Sequence, residues 1–176
     1  TGGLNAIFND GGDGDSYFND GSTVSQGVVL NDGSDNLTIA NADITGVTVL
    51  DGGDDSDVAD GFVDLLTFSG FDGSFGGDLL NWEGVIFDES NATFTGAAIT
   101  TPTVALTNNT TFRPSNPNFM LNSVLSVDGS SEFNAGLGGA GNVQLNGDVV
   151  NDGLLSVIDD TIGDQLTGNG NLTGTG

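Results

Sequence analysis

Residues 51–96 read DGGDDSDVADGFVDLLTFSGFDGSFGGDLLNWEGVIFDESNATFTG, and this stretch decides the fold. Short runs of β-prone residues, such as LLTF at 65–68 and GVIF at 84–87, alternate with turns rich in Gly and Asp. No apolar stripe of helical period runs through the stretch. Such alternation without a helical stripe is typical of an all-β chain.

Centres of β-rich sequence recur along the chain at steps of roughly 18 to 20 residues, a spacing in the range of known structural repeats. They are Thr48, Leu66, Ile86, Ala105, Leu125 and Gln144. A degenerate repeat of about 20 residues is expected of a solenoid, because each coil must bring similar strands over the coil below. A β-sandwich would show turns every 8–12 residues or so, and shorter turns do lie between these centres, so the sandwich stays an alternative.

We therefore predict an all-β fold, a parallel β-helix (β-solenoid) with about 20 residues per coil. The prediction is one domain over residues 1–176, in which residues 1–50 form acidic, less regular coils and residues 51–176 form the regular ones. Trp82 is expected to be a large anchor at a corner of the coil, with sugar stacking as the alternative. The residues predicted to fill the core are Leu66, Phe68, Ile86, Phe94, Leu125 and Leu145.

The charge of the chain excludes several classes of partner. One Lys or Arg stands against 25 Asp and Glu, a formal net charge of −24. Such a surface repels nucleic acids and anionic membranes, and it suits the binding of cations or a hydrated surface in salty water. No apolar run reaches the roughly 20 residues that span a bilayer, so no membrane span is predicted in this segment. Because the chain opens on Thr1, we expect a processed product or part of a longer polypeptide.

Residue types also argue against catalysis. The chain has no His, Cys or Lys, which excludes Ser-His-Asp, Cys-His and Schiff-base chemistry. Two adjacent carboxylates, Asp159 and Asp160, resemble a glycoside-hydrolase pair, but the tail lacks a cation to position a sugar acid. We predict that the protein is not an enzyme and that it has no catalytic residues.

Calcium is the best chemical candidate, because hard cations prefer carboxylate and carbonyl oxygens. Residues 11–18, 33–37 and 52–59 match the calcium-binding nonapeptide GGxGxDxUx in part. The alternative is that these Asp side chains bond to their own turns or face water. No cofactor is required on either interpretation. The predicted calcium ligands are Asp13, Asp15, Asp35, Asp51, Asp54, Asp55, Asp57 and Asp60.

The segment TFRPSNPN at 111–118 breaks the pattern. Pro removes a ladder donor, so Pro114 and Pro117 are not expected inside a central parallel strand. We predict a loop that bulges from one coil. A recognition loop built on Arg113, Pro114 and Pro117 is the functional alternative, since loops on rigid scaffolds often carry binding sites.

Two groups of motifs resemble a known family. The first is LTFSG at 66–70, NWE at 81–83 and ATFTG at 92–96; the second is GNVQLNGDVVNDGLLSV at 141–157 with GDQLTGNGNLTGTG at 163–176. Together they resemble the C-terminal stem of Gram-negative autotransporter passengers. The resemblance implies a right-handed parallel β-helix on the outer cell surface or in secreted form, which serves as a stalk and folding module. Residues 1–50 fit the family loosely, so a β-solenoid fibre subunit of another kind stays an alternative.

These observations together predict a non-enzymatic extracellular structural module. It would be a stalk joined to flanking domains of a larger chain, or a fibre subunit that stacks head to tail through open sheet edges. One alternative is an adhesin module that binds a host surface or a glycan. The other is a secreted β-roll-like protein stabilised by calcium.

Overall fold

The computed structural model describes residues 6–7, 12–53, 56–136, 142–157 and 165–175, and these residues form strands and turns without helices. The described part of the chain accordingly contains no helix with the length and apolar character needed to cross a membrane. Its strands are β1 (Ala6–Ile7), β2 (Gly14–Phe18), β3 (Val28–Val29), β4 (Asp35–Ala40), β5 (Val49–Asp51), β6 (Leu65–Ser69), β7 (Asp72–Phe75), β8 (Asp78–Leu80), β9 (Gly84–Asp88), β10 (Asn91–Phe94), β11 (Ala98–Thr107), β12 (Thr111–Pro114), β13 (Met120–Val127), β14 (Glu132–Asn134), β15 (Asn142–Leu145), β16 (Val149–Asn151), β17 (Leu154–Ser156), β18 (Gln165–Gly168) and β19 (Leu172–Thr173).

The strands stack in parallel into three sheets that run along the molecule. The long sheet has ten strands, with β2-β4-β6-β9-β11-β13-β15-β18 in order; β16 also pairs with β13, and β19 pairs with β16. The five-stranded sheet has the order β7-β10-β12-β14-β17, and the four-stranded sheet has the order β1-β3-β5-β8. Successive strands of each sheet come from successive coils, so the chain is a β-solenoid of about 7 turns with roughly 21 residues per turn. The predicted fold class is confirmed.

Coil length varies more than the predicted repeat allows. Leu66 lies beside Val85 and Leu37 lies beside Leu66, so the coil from Leu37 to Leu66 is much longer than the coil that follows it. The extra residues of this long coil lie between β5 and β6. One inward-facing column of the long sheet is formed by Ser16, Leu37, Leu66, Val85, Val104, Leu125, Val149 and Leu172.

Four predicted repeat centres are out of register with the column of Leu66 and Leu125. Ile86 and Ala105 each lie one residue past its members Val85 and Val104, and Thr48 and Gln144 lie elsewhere. Thr48 precedes β5 in the four-stranded sheet, because the long coil places Leu37 under Leu66. Gln144 lies beside Met120, whereas the partner of Leu125 is Val149. The spacing of the predicted centres therefore matched a solenoid repeat, although the centres themselves belong to different sheets or columns.

A column of aromatic rings fills the middle of the solenoid. Phe68 and Phe87, from successive coils, stack at 4.7 Å between centroids with 6° between their planes. Phe112 continues this contact at 4.8 Å from Phe87, and Phe75 packs 5.0 Å from Phe94. Stacked rings add to the free energy gained by burying apolar area. Rings from the long sheet and from the five-stranded sheet thus meet in one continuous core.

Ile86 was predicted to lie in the core, and this is wrong. Its neighbours Val85 and Phe87 are buried, while Ile86 is only partly buried. Side chains alternate between the two faces of a strand, so Ile86 points out of the coil when its neighbours point in. The other five predicted core residues are buried as expected.

The corners of the coil depend on residues that tolerate unusual backbone geometry. Asn41, Asn81 and Asn108 adopt positive φ values of 53°, 57° and 55°, a region that Asn tolerates better than most residues. At Gly147, an added Cβ would lie 2.0 Å from the carbonyl oxygen of Ser123 in the coil below. Any residue with a Cβ at position 147 would therefore push these two coils apart.

Replacing the buried ring of Phe87 should destabilise the protein far more than trimming its outward neighbour. We expect Phe87→Ala to lower the free energy of unfolding by about 3–5 kcal/mol, because the cavity lies inside the aromatic column. The control Ile86→Ala should cost about 1 kcal/mol or less. Denaturant unfolding of both variants checks this, and an equal or larger cost for Ile86→Ala would contradict the assigned register.

Candidate functional site

The predicted calcium ligands nearest the start of the described chain line a shallow hollow of about 290 Å³. The Asp13 carboxylate accepts a hydrogen bond from the backbone N–H of Ser34 at 3.0 Å. The Asp15 carboxylate accepts one from the side-chain amide of Asn36 at 2.9 Å. Both carboxylates therefore tie the β2 coil to the β4 coil.

The predicted ligands around residues 51–60 bond mostly to their own turns. The Asp57 carboxylate accepts from the N–H of Ala59 at 3.0 Å, and Asp60 accepts from the N–H of Phe62 at 2.9 Å. Asp51 accepts from the N–H of Gly53 and, across one coil, from the side chain of Asn81. Asp54 and Asp55 lie outside the described residues. Within the described ranges, the acids do not gather in threes around a point that could hold a metal ion.

Chelation should change stability little, because most of the predicted ligands already accept hydrogen bonds from protein donors, namely Asp13, Asp15, Asp51, Asp57 and Asp60. In excess EDTA we expect the melting temperature to stay within about 2 °C of its value in excess calcium, a range that corresponds to a small change in unfolding free energy. Scanning calorimetry in the two buffers makes the comparison. A large drop in EDTA that Asp13→Asn reproduces would instead establish a structural calcium ion in the hollow.

Three buried acids form a column across successive coils. Asp35, Asp64 and Glu83 are 0%, 1% and 6% exposed. The N–H of Asp35 donates to the carboxylate of Asp64 at 2.6 Å, and the N–H of Asp64 donates to the carboxylate of Glu83. A buried carboxylate is costly unless it is hydrogen-bonded, so each of these acids is positioned by the coil next to it.

Asp35 was predicted from the sequence as a calcium ligand, and the roles of Asp64 and Glu83 were missed. Asp35 lies in the interior instead of in an exposed turn, and its role as a calcium ligand stays a prediction. A usable signal was present, because each acid lies two residues before an inward-facing apolar residue: Leu37, Leu66 or Val85. Alternation along a strand places residues i and i+2 on the same face.

The segment around Pro114 is a strand, so the predicted bulging loop is wrong there. Thr111–Pro114 forms β12, which pairs with β10 on one side and with β14 on the other. The donor that Pro lacks would point toward β14, and the pairing of β12 with β14 ends at Phe112 and Phe133. Pro114 therefore sits where a ladder donor is not required. Pro117 lies in the following turn, and a binding role for this segment stays a prediction.

Arg113 ends a ladder of side chains that crosses one corner of the solenoid. Its guanidinium donates to the side-chain oxygen of Asn91, whose amide donates to Asp72 at 2.9 Å. The N–H of Asp72 donates to the side-chain oxygen of Asn41, and the amide of Asn41 donates to Asp20 at 3.1 Å. Four polar contacts thus connect the coils at this corner.

A second polar ladder runs along the long sheet near the C-terminal side. The amide of Asn169 donates to Asn146 at 3.2 Å, and Asn146 donates to Asn122 at 2.9 Å. The amide of Asn122 donates to the hydroxyl of Thr100 at 2.9 Å. Asn in equivalent positions of successive coils both donates and accepts, so it extends the ladder by one step per coil.

Two aspartates are held in the charged form by hydrogen bonds. The backbone N–H and then the hydroxyl of Thr45 lower the pKa of Asp43, against a smaller opposing effect of burial. For Asp128, burial raises the pKa, but hydrogen bonds from the N–H of Asn108 and from Ser131 and Ser130 together lower it to about 2. Asp128 thereby joins its own turn to the Asn108 corner in the preceding coil.

The lowered pKa of Asp128 predicts a loss of stability in acid. Because the folded pKa lies below the unfolded value, Asp128 contributes fully above about pH 4, and the contribution is lost as pH falls toward 2. Because solvent screens these hydrogen-bonded charges, we expect Asp128→Asn to lower the free energy of unfolding by only about 1 kcal/mol at pH 7. Urea unfolding of both proteins at pH 7 and pH 2 measures this. A difference in unfolding free energy between the two proteins that is larger at pH 2 than at pH 7 would contradict this role of Asp128.

Trp82 occupies a corner position, as predicted. It is 1% exposed, and its indole N–H donates to the carbonyl oxygen of Leu50 at 2.9 Å. The carbonyl oxygen of Trp82 accepts from the hydroxyl of Thr101 in the next coil. This burial leaves the ring no face for sugar stacking, so that alternative is wrong.

Comparison with protein-family models, with curated proteins and with solved structures found no match for this chain. The resemblance to autotransporter stems therefore stays a prediction.

Proposed function

We propose that this chain is a structural rod segment displayed outside the cell, either a stalk or a fibre subunit. The observation that carries the proposal is the unbroken parallel pairing from β2 to β18 along the long sheet. Such a sheet resists bending and extension, because every coil is bonded to the coils before and after it. The formal charge of −24 keeps the sides of a rod hydrated and apart from one another.

The last described coil supports end-to-end stacking. Leu172 continues the inward column of Leu125 and Val149, yet it is 68% exposed, whereas they are buried. It lines a groove of about 230 Å³ with other apolar residues, among them Leu155 and Leu166. Another coil, from flanking chain or from a second copy, would cover these groups and pair with β19.

Salt should control assembly if the chain is a fibre subunit. Each copy carries the same large negative charge, so repulsion opposes contact at low ionic strength and is screened at high ionic strength. We expect sedimentation velocity and electron microscopy to show rods that lengthen between about 0.05 M and 1 M NaCl, over which the Debye length falls several-fold.

Two variants separate stacking of the ends from nonspecific association. Leu172→Asp places a charge on the uncovered core and should abolish the lengthening, because a buried unpaired charge is costly. Val58→Asp alters an exposed residue of the long coil and should have no effect. Short particles of constant length at every salt concentration would rule out the fibre subunit and leave the stalk.

A further inference from the structure

The five-stranded sheet ends at β7, on the flank of the solenoid. In the preceding coil, residues 41–45 occupy the position that corresponds to β7. The backbone of this segment forms its hydrogen bonds with the coil before it, through Asp43 to Ser22 and Val24. The backbone hydrogen-bond ladder is therefore interrupted between residues 41–45 and β7. The opening is a groove of about 210 Å³ lined by Asn41–Thr45 and Phe71–Ser74.

The β7 wall of this groove offers backbone groups at strand spacing. Asn91 and Thr95 donate to the carbonyl oxygens of Phe71 and Phe75, so odd-numbered residues bond to β10. Alternation then directs the N–H and C=O groups of Asp72 and Ser74 to the groove side. The N–H of Asp72 reaches the side chain of Asn41 there at 3.1 Å, while the described chain offers no strand beside Ser74.

The floor and rim of the groove differ in chemistry. Ala42, Ile44 and Phe71 are buried side chains that form an apolar floor. Asp43 and Asp72 are exposed and place two carboxylates at the rim. The lining residues include no cation, and the nearby corner ladder brings a third carboxylate, Asp20, to Asn41.

We propose that this groove binds a short extended peptide segment rich in Lys or Arg, which adds to β7 as a further parallel or antiparallel strand. The backbone of Ser74 supplies the hydrogen bonds of strand addition, and alternate side chains of the peptide meet the carboxylates. A second copy of this chain is a poor occupant, because it carries a formal charge of −24. The partner is therefore a basic segment of another protein, held on the side of the rod.

The test uses the full chain and three labelled octapeptides. The first alternates Lys and Thr, the second alternates Glu and Thr, and the third alternates L-Lys with D-Thr. The third keeps the charge of the first but cannot hold a pleated strand, since D-residues prefer the mirror-image backbone region. Fluorescence anisotropy should show the Lys-Thr peptide binding at least about tenfold more tightly than either control, a margin equal to one or two net hydrogen bonds.

Variants of the protein locate the site. Ser74→Pro removes the groove-facing donor, and Pro is tolerated on edge strands, so affinity should fall about tenfold with an unchanged circular dichroism spectrum. If Ser74→Pro does not fold, the double variant Asp43→Asn with Asp72→Asn should reduce affinity by a similar factor. Asp152→Asn changes an exposed, hydrogen-bonded aspartate at the far end and should leave affinity unchanged.

Three results would overturn the proposal. Equal binding of the L-Lys/D-Thr peptide would mean that charge alone attracts the peptide. Equal loss of affinity in Asp152→Asn and in the groove variants would mean that the peptide has no defined site. Self-association of the chain that Ser74→Pro abolishes would assign the groove to a second copy.

Discussion

The structure depends on parallel pairing between coils in which each inward position lies above another inward position. A parallel strand pair fixes register residue by residue, and a shift by one residue would turn every core side chain outward. Phe68 can stack on Phe87 only because Leu66 and Val85 are paired. The coil lengths vary, yet register is restored from coil to coil, since additional residues leave the ladder as turns or, between Thr100 and Thr103 of β11, as an irregularity within the strand.

The same constraint explains the polar groups. Once strands are stacked in register, any side chain at a corner has an equivalent one strand spacing away, about 4.8 Å. Asn, Asp, Ser and Thr at such positions bond to the coil above or below, as in the Thr100 to Asn169 ladder and in the buried column of Asp35, Asp64 and Glu83. Many of the acids thereby have structural partners. The remaining negative charge faces solvent.

Much of the fold could be predicted from the sequence, and much of its register could not. Alternation in LLTF identified Leu66 and Phe68 as buried, but a centre chosen one residue from the inward position misplaced Ile86. The long coil from Leu37 to Leu66 could not be recognised, because its additional turn resembles the turns between coils. The strand at Pro114 could not be predicted either, since its tolerance of Pro depends on where β14 stops pairing. The ladders join residues 19 to 31 apart, and only the register reveals those contacts.

Disulfide formation between engineered cysteines tests the register most directly, because the chain has no Cys of its own. Ile86 and Ala105 are paired outward positions in neighbouring coils, with Cα atoms about 5 Å apart, which suits a disulfide. Ile86 and Ser126 lie two coils apart, at about 10 Å, which does not. This register predicts that Ile86→Cys with Ala105→Cys cross-links within the monomer under mild oxidation, whereas Ile86→Cys with Ser126→Cys does not. Failure of the first pair, or equal cross-linking of both, would contradict the stacked coils.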